Sequence, residues 1–573
     1  MIVILFLLTL LPSVCRLYSK NSLKERAFGF CEDLFIASQQ IALLWLIGPP
    51  FICIIALLQV VYIIDSFFYR KMEIRFNLSF FRFLKTPNLF LDSAIAMGVI
   101  PWLFSALILS ITTYFTLSLF PIESPPFLLI LSPLLLLAYK KVSKNGHNIL
   151  LLLEGQLFFR SSSQIKIATI PETLLPKCEL ATSVDPIRYP LLKMTEGFTG
   201  PRQFSFSGNL PKHIIFIFLE SFRAKNVGIL GAKIGVTPHF DALAQKGIFF
   251  SQFYANGILT KDAMWASLTG VPPLFHPSSE DTLWSSSLKT LDDLPAITLA
   301  TLLHKEGYHN LFIDGSSTSF DKFGPFLKNH HFDEIIGKEE ITSHSPIRWG
   351  VHDEYLFAKA ANKLAEFKGE RLFTCIATIS NHDPWKIPNH YSPPSFAEVS
   401  PPLYQNFLQT MHYTDHCLHN FIQELEKQNL LKESLLFILG DHGMHMVERS
   451  EPPGKRNLYE EGIHVPLLIY AEGRIRSPLV ISDPGSQIDL LPTVMDLLSI
   501  KGINHSVGTS LVRKQSNRTL FFGAPLYLGN ASALRCGDDK FHKDPLLFNL
   551  KNDPSEHIAL QNSLKTESYQ NEL

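Results

Sequence analysis

Four short stretches of this 573-residue chain, far apart in sequence, carry residue types that together could bind a metal ion and activate a hydroxyl. They supply two carboxylates and an imidazole, from Glu220, Asp441 and His442, and a hydroxyl from Thr260. These ligand types suit a divalent cation, and a hydroxyl beside such a cation becomes a nucleophile at neutral pH. His382, in a Ser-Asn-His-Asp-Pro-Trp segment, could contact a phosphoryl oxygen or protonate a leaving group.

Two apolar, strand-like runs must position the metal-binding side chains. Glu220 follows the run Ile214 to Leu219, and the pair Asp441 and His442 follows the run Leu435 to Leu439, with a glycine on each side of the pair. In open α/β sheets, ligands bind outside the carboxyl ends of the strands. The sequence therefore predicts that both runs deliver their polar residues to one rim of a sheet.

Each candidate residue also has an ordinary structural interpretation. Thr260 precedes a helical run, where a threonine is typically an N-cap, although a helix N-terminus also attracts phosphate oxygens. Arg223, three residues after Glu220, could bind a phosphate or form a surface salt bridge. His382 could be a loop histidine bonded to the backbone. His464, just before a predicted strand, is a further candidate for the rim of the site.

From about residue 210 onward, the chain alternates short β-rich runs with helical patterns. The predicted strands are Ile214–Leu219, Asn310–Ile313, Leu372–Ile379, Ser434–Leu439 and Val465–Tyr470. The predicted helices include Ala242–Lys246, Ala296–Glu306, Tyr355–Phe367 and Thr414–Gln428. Strands that alternate with helices favour an α/β fold in which a mostly parallel sheet is covered on both faces.

The N-terminal part of the chain is far more apolar than the rest. Two uncharged runs, Leu34 to Ile64 and Ser93 to Ile122, exceed the ~20 residues that a helix needs to cross a bilayer. Met1 to Cys15 and Ser124 to Tyr139 are shorter candidates. The sequence thus predicts three parts: three to four transmembrane spans in residues 1–140, a juxtamembrane connector over 141–209, and a catalytic domain over 210–573.

Charge and cysteine content narrow the function classes. The net charge of −1 provides no basic field for a nucleic-acid partner. Four cysteines fall in the soluble part and no C-x-x-C occurs, which argues against a cysteine zinc site. Basic residues follow both the first and the second apolar segment, so the positive-inside rule leaves the membrane topology open.

Taken in order, these motifs resemble the alkaline phosphatase/sulfatase superfamily, and within it the membrane-anchored lipoteichoic acid synthase and phosphoglycerol transferase group. The resemblance covers about residues 210–560. The stretches that carry it include Leu219-Glu220-Ser221, Thr237-Pro238-His239-Phe240-Asp241, Leu268-Thr269-Gly270, Ser380-Asn381-His382-Asp383-Pro384-Trp385, Gly440-Asp441-His442-Gly443, His464-Val465-Pro466 and Ser486-Gln487-Ile488-Asp489.

The resemblance implies N-terminal transmembrane helices followed by an α/β/α catalytic domain with a mostly parallel central sheet. It implies that Glu220, Thr260, Asp441 and His442 bind one divalent cation, with Mn²⁺ favoured over Mg²⁺ or Zn²⁺. Thr260 would attack a membrane phospholipid to give a phospho-threonine intermediate, and His382 would bind the substrate. The acceptor would be an envelope glycan or lipid. The protein would be an integral, multi-pass cell-membrane protein with an extracytoplasmic catalytic domain.

Two departures from the family pattern leave the product open. Lipoteichoic acid synthases bind phosphoglycerol through a His-x-Asp and a Trp-x-Arg, whereas the corresponding stretch here reads Phe312-Ile313-Asp314-Gly315. Phosphoethanolamine transferases usually carry several disulfides, and four soluble-domain cysteines could form two at most. The resemblance implies a phosphoglycerol or phosphoethanolamine head group, and the sequence does not decide between them.

Other activities remain as alternatives. A true sulfatase needs a cysteine or serine that becomes formylglycine, but Thr260 stands at that position and no C-x-P-x-R occurs. A phosphodiesterase or sulfuric ester hydrolase of this superfamily, and a catalytically inactive membrane scaffold, are the remaining alternatives. The four occupied ligand positions speak against the scaffold.

Overall fold

The computed structural model of this protein describes part of the chain. The described residues are 178–185, 189–273, 296–318, 323–343, 347, 349–449, 457–514, 518–524 and 532–572, with single positions at 54, 107, 108 and 111. The predicted spans within 1–140 lie outside these residues, apart from the four single positions. No helix in the described ranges is both long and apolar enough to cross a bilayer. The elements below all belong to one compact unit, residues 166–277 and 284–573.

The described residues form strands and helices in alternation over most of this unit. The strands are β1 Glu179–Asp185, β2 Tyr189–Phe198, β3 His213–Leu219, β4 Ile248–Tyr254, β5 His309–Asp314, β6 Glu334–Ile336, β7 Leu372–Ala377, β8 Ser434–Gly440, β9 His464–Tyr470, β10 Leu479–Ile481, β11 Gly485–Ser486, β12 Gly502–Asn504, β13 Thr519–Gly523, β14 Ser532–Cys536, β15 Asp539–His542 and β16 Leu546–Asn549. The helices are α1 Pro238–Ala244, α2 Thr260–Thr269, α3 Leu299–Lys305, α4 Phe323–Asn329, α5 Asp353–Glu366, α6 Pro402–Lys427, α7 Glu460–Ile463, α8 Leu490–Leu498 and α9 Ser563–Glu572.

A large central sheet has the strand order β10-β4-β9-β8-β3-β7-β5-β6, with β11 beside β4. Neighbouring strands run parallel except at β9, which is antiparallel to both β4 and β8. All five strands predicted from the sequence lie in this sheet, as β3, β5, β7, β8 and β9. The predicted α/β fold is confirmed, and the reversed β9 makes its sheet a mixed one.

The central strand β3 explains why the sequence shows continuous apolar runs. All seven of its residues are buried, because helices cover both faces of the sheet. Alternate side chains enter two separate cores: Phe216 and Phe218 pack into one, and Ile215 and Ile217 into the other. The Phe216 ring lies with its centroid 4.8 Å from that of Phe437 on β8, so the two strands are tied together by side chains as well as by hydrogen bonds.

The register of β3 and β8 brings the polar residues of the two strands to one rim. Leu219 on β3 is paired with Gly440 on β8 in a parallel ladder. Glu220 and Asp441, the next residue on each chain segment, therefore leave the sheet side by side. On its other edge, β3 pairs with β7 through Phe218 and Ala377, so the segment that follows β7 emerges at the same rim.

Two smaller sheets were not predicted from the sequence. One has the order β1-β2-β12 and joins residues of the predicted connector to residues near position 503. The other has the order β13-β14-β15-β16 and is antiparallel throughout. In the first sheet, β12 has only three residues and pairs with β2, which lies far earlier in the chain, and each strand of the second sheet has four or five residues. Neither property leaves a periodic signal in the local sequence.

Replacing Phe216 with alanine should strongly destabilise the fold, because its fully buried ring lies between the rings of Phe373 and Phe437. We expect Phe216→Ala to lower the free energy of unfolding by about 3–5 kcal/mol in urea titrations followed by circular dichroism. Val480, on the sheet edge and 60% exposed, supplies the control. Val480→Ala should change the free energy by no more than about 0.5 kcal/mol. A loss below about 1 kcal/mol for Phe216→Ala would contradict the packing described.

Candidate functional site

Glu220, Asp441 and His442 come together at the rim formed by β3 and β8. Each offers one ligand atom, and these atoms all lie within 4.8 Å of one another. All three side chains are buried, with residue exposures of 0–1%. The His442 Nε2 atom is 3.8 Å from Glu220 Oε1 and 3.6 Å from Asp441 Oδ2. The structure thus brings together the three residues predicted to bind the cation.

The tautomer of His442 follows from its second ring nitrogen. Nδ1 lies 2.9 Å from the carbonyl oxygen of Gly443, and a carbonyl can only accept, so Nδ1 carries the hydrogen. In the neutral ring, Nε2 then presents a lone pair towards two carboxylates. A cation among these three groups would convert their mutual repulsion into attraction. The donor set therefore fits a divalent metal ion.

The two oxygens of Asp441 have different surroundings. Oδ1 accepts hydrogen bonds from the backbone N–H groups of Ser221, at 2.8 Å, and of His442, at 2.6 Å. Oδ2 is buried and has no hydrogen-bond partner among the residues that the structure describes. Burial raises the pKa of Asp441, and the two N–H donors act in the opposite direction. Oδ2 is therefore the oxygen available to a metal ion.

Thr260 is the first residue of α2, and Leu259 is the N-cap. The N-cap interpretation of Thr260 is therefore wrong. Its hydroxyl instead donates to Glu220 Oε2 at 3.1 Å, which places Oγ1 beside the three-residue cluster. The side chain is partly exposed, unlike those of the cluster. Thr260 is therefore accessible from outside the domain while its hydroxyl contacts Glu220, a predicted metal ligand.

His382 lies in the segment that follows β7, at the same rim. The preceding residue, Asn381, donates from Nδ2 to the backbone oxygen of Glu220 at 3.2 Å. The His382 ring packs against Trp349 with centroids 4.7 Å apart, and Nδ1 lies 2.9 Å from Asp383 Oδ1. Its position at the rim is compatible with a substrate contact, which stays a prediction.

Arg223 is fully buried, so the surface salt bridge considered for it is wrong. Its Nη1 donates to the backbone oxygen of Met444 at 2.7 Å and to Glu448 Oε1 at 2.9 Å. Its Nε donates to Asn226 Oδ1 at 2.5 Å, and the guanidinium lies over the Tyr404 ring. These contacts favour a structural role, in which Arg223 holds the segment after the metal-binding pair, over the predicted phosphate contact.

His464 is the first residue of β9, and both of its ring nitrogens face protein groups. Nε2 lies 2.9 Å from the backbone oxygen of Ser251, and Nδ1 lies 3.6 Å from Glu460 Oε2. The ring stacks on Tyr254 at a centroid distance of 5.0 Å. Burial lowers the pKa of His464. These contacts favour a role in joining β4 to β9, whereas the predicted substrate contact stays untested.

The sequence did not reveal the residues that support the cluster from behind. The Glu220 backbone N–H donates to Thr378 Oγ1 at 2.9 Å. Gln487 Nε2 donates to the backbone oxygen of Asp441 at 2.6 Å, and Gln487 Oε1 accepts from the backbone N–H of Asn256 at 3.2 Å. Gln487 belongs to one of the motifs that carry the family resemblance. That motif marks Gln487 as a residue of interest, but it does not predict the hydrogen bond to the Asp441 backbone oxygen.

The turn after His442, a predicted metal ligand, is bonded to α7 and to the C-terminal part of the chain. The Gly443 N–H donates to the backbone oxygen of Gly462 at 2.8 Å. Arg449 Nε donates to Glu461 Oε1 at 2.7 Å, and Arg449 Nη1 donates to the backbone oxygen of Glu556 at 3.0 Å. The backbone bond and the partly buried, charge-assisted bonds of Arg449 join three segments that are distant in sequence.

Glu556 connects this turn to the four-stranded C-terminal sheet. Its Oε2 accepts from the Glu460 backbone N–H at 2.6 Å and from Lys540 Nζ at 3.1 Å. Its Oε1 lies 2.8 Å from His542 Nε2. Lys540 and Glu556 are almost completely buried, with residue exposures of 0% and 1%. Removing one partner of such a pair would leave an uncompensated buried charge.

Known proteins of similar sequence extend over the part of the chain that contains the site. Residues 212–500, just over half of the chain, match the family model described as Sulfatase. The chain is 26% identical to lipoteichoic acid synthase 1 of Bacillus subtilis over 57% of this chain and 52% of that protein. It is 24% identical to a lipoteichoic acid synthase of Staphylococcus aureus over 54% of this chain and 49% of that protein. The chain spans about half the length of the curated relatives it matches.

A solved structure shares the fold. It is a protein of the alkaline phosphatase superfamily from Vibrio parahaemolyticus, with a TM-score of 0.55 and 22% sequence identity. The alignment covers 68% of this chain and 90% of that one. At this identity the likeness establishes the fold alone. It confirms the predicted alkaline phosphatase/sulfatase-like α/β architecture.

The cluster geometry predicts which carboxylate a metal ion requires. Asp441→Asn should remove most of the bound Mn²⁺ from the purified protein, because Oδ2 loses its charge while the side chain keeps its size. Asp314 is the last residue of β5, at the same carboxyl-terminal rim of the sheet, and is 8% exposed. Asp314→Asn is therefore the matched control. Metal content is measured by elemental analysis after equilibration with Mn²⁺. Unchanged content in Asp441→Asn, or equal losses in both variants, would reject the ligand assignment.

Proposed function

This chain belongs to the sulfatase family, and from that premise we propose that it is a metal-dependent phosphotransferase acting through a phospho-threonine intermediate at Thr260. It moves the head group of a membrane phospholipid, phosphoglycerol or phosphoethanolamine, to an envelope glycan or lipid acceptor. The observation that carries the proposal is the 3.1 Å hydrogen bond from Thr260 Oγ1 to Glu220 Oε2, which joins a hydroxyl to the predicted metal ligands.

Glu220, Asp441 and His442, with Thr260, would hold one divalent cation, with Mn²⁺ favoured and Mg²⁺ or Zn²⁺ as alternatives. When bound, such an ion polarises phosphoryl oxygens and favours the ionised form of an adjacent hydroxyl. The buried cluster keeps its ligand oxygens away from water, and His442 is held in one tautomer by the Gly443 carbonyl. These features support a preformed site.

The chain's own residues account for the first half of the reaction. Glu220 Oε2 accepts the Thr260 hydroxyl hydrogen and so fixes the direction of the Oγ1 lone pairs. Oγ1 gives up its proton to solvent as it forms a bond to phosphorus, and the bond from phosphorus to the diacylglycerol oxygen breaks. The departing oxygen takes a proton, for which the rim residue His382 is the proposed donor.

The second half returns the enzyme to its starting state. An acceptor hydroxyl attacks the phosphorus, the bond from phosphorus to Thr260 Oγ1 breaks, and Oγ1 recovers a proton. The covalent step divides one difficult displacement into two easier ones. If water replaces the acceptor, the same residues perform hydrolysis. The acceptor therefore distinguishes the proposed transferase from a phosphodiesterase.

The nucleophile itself favours phosphoryl transfer over sulfate-ester hydrolysis. Formylglycine is made from cysteine or serine, and the methyl group on the Thr260 Cβ prevents conversion to that aldehyde. The matched relatives are named lipoteichoic acid synthases, which supports a phospholipid donor for this chain. The predicted spans within residues 1–140 would keep the domain near such a donor, on the extracytoplasmic side of the cell membrane.

Removing the nucleophile should abolish transfer without removing the metal ion. We expect Thr260→Ala to reduce release of diacylglycerol from phosphatidylglycerol or phosphatidylethanolamine by at least about 10³-fold. Thr260→Ser keeps the hydroxyl and should retain measurable turnover. Mn²⁺ content should stay close to that of the natural chain in both variants, because the three charged or imidazole ligands proposed, Glu220, Asp441 and His442, remain. Full activity in Thr260→Ala would refute the covalent mechanism.

The intermediate can be observed directly. The full chain, incubated with Mn²⁺ and vesicles that contain one phospholipid at a time, should gain a mass that peptide mapping assigns to Thr260. The size of the adduct identifies the transferred head group. If diacylglycerol is released but the protein gains no adduct with either phospholipid, the hydrolase is favoured. A protein with neither an adduct nor bound metal would favour the inactive scaffold.

A further inference from the structure

Ser221, directly after Glu220, has a backbone conformation that serine rarely adopts. Its φ angle is +50°, in the left-handed region that favours glycine. The residue is completely buried, so its conformation is imposed by the interior of the domain. Such outliers persist where the surrounding structure holds them in place, and they concentrate at functional sites. The contacts of Ser221 indicate what the strain achieves.

Ser221 binds both carboxylates of the candidate metal centre. Its backbone N–H donates to Asp441 Oδ1 at 2.8 Å, and its hydroxyl donates to Glu220 Oε1 at 2.6 Å. A regular extended continuation of β3 would not direct both groups of one residue to the same side. The left-handed turn therefore allows a single residue to fix two carboxylates, one on the preceding residue and one 220 positions further along the chain.

The turn is held from the opposite side by Asn381. Its Nδ2 donates to the backbone oxygens of Glu220 at 3.2 Å and of Ser221 at 3.4 Å. Its Oδ1 accepts from Thr410 Oγ1 at 2.6 Å, which fixes the orientation of the amide. The strained peptide is thus clamped by a buried side chain from the segment after β7.

The two carboxylate oxygens of Glu220 accept hydrogen bonds from different residues. Oε1 accepts from Ser221 and faces His442, whereas Oε2 accepts from Thr260. With Oε1 held, the carboxylate cannot rotate without breaking a short, charge-assisted hydrogen bond. Outer residues that orient metal ligands in this way commonly influence affinity nearly as much as the ligands do.

We propose that Ser221 is a positioning residue for the metal centre, whose hydroxyl fixes the Glu220 carboxylate in the orientation that binds the cation and meets the Thr260 hydroxyl. The inference rests on the metal binding contained in the proposed function and goes beyond the predicted ligand set. A simpler interpretation is that Ser221 is a strained turn residue and that its hydroxyl is incidental. The two interpretations predict different Mn²⁺ affinities for Ser221→Gly: a weakened affinity if the hydroxyl positions Glu220, and an unchanged affinity if the hydroxyl is incidental.

The test compares Ser221→Gly and Ser221→Ala in the full chain, with Mn²⁺ alone as the probe. Both variants lose the hydroxyl and keep the backbone N–H that binds Asp441, but glycine also relieves the positive φ. We expect the dissociation constant for Mn²⁺, measured from the electron paramagnetic resonance signal of free Mn²⁺, to rise about 10–100-fold in both variants. The metal-free unfolding temperature of Ser221→Gly should not fall below that of the natural chain.

A second buried serine supplies the control. Ser267, in α2, is completely buried, and Ser267→Ala should leave Mn²⁺ affinity within about twofold of the natural chain. If Ser221→Gly binds Mn²⁺ as the natural chain does, the positioning role is wrong and the proposed function stands. If the natural chain itself binds no Mn²⁺, Mg²⁺ or Zn²⁺, the proposed function is wrong and the inference falls with it.

Discussion

Two carboxylates and the unprotonated nitrogen of an imidazole lie close together inside this domain, out of contact with water. Transferring a charged carboxylate from water to a protein interior costs several kcal/mol, and two such groups side by side also repel each other. The surrounding fold compensates in part through the N–H groups of Ser221 and His442, both directed at Asp441. A bound cation would provide the remaining compensation. The register of β3 and β8, the left-handed turn at Ser221 and the tautomer of His442 all serve this one cluster.

The elements nearest the cluster were the most predictable ones. β3 and β8 are continuous apolar runs, and the predicted bounds differ from the observed bounds by one residue at one end of each strand. Since both strands are parallel and paired, placing Glu220, Asp441 and His442 at one rim required only the general rule for α/β sheets. The resemblance to the sulfatase superfamily, inferred from the order of motifs, is confirmed by the family model over residues 212–500.

Other features depended on partners that local sequence cannot identify. The local sequence predicts a surface or substrate-binding role for Arg223, whereas its buried guanidinium bonds to Glu448 and Met444, more than 200 positions away. Helix α6 was predicted from Thr414, but it begins at Pro402, because buried Tyr404 and Phe407 extend the apolar face through an otherwise polar stretch. The division of the chain into 1–140, 141–209 and 210–573 stays a prediction. Within the second range, β1 and β2 form strands, and β2 pairs with β12 of the third range. Phe312, in the stretch that departs from the lipoteichoic acid synthase pattern, packs against Phe323 and Phe332 in the core.

The contact between Glu556 and the segment after the candidate metal ligands joins an early part of the chain to one that is synthesised late. Glu556 follows Arg449 by 107 positions, yet its backbone oxygen accepts from Arg449, in the segment after the candidate metal ligands, and its carboxylate accepts from the backbone N–H of Glu460 in α7. Chains are synthesised from the N-terminus, and domains fold as units once their residues have emerged. The central strands β3 and β8 are therefore synthesised long before Glu556, which contacts the segment that follows β8. An unfinished chain would therefore carry every proposed ligand and the nucleophile but would lack the contacts that Glu556 makes with Arg449 and Glu460.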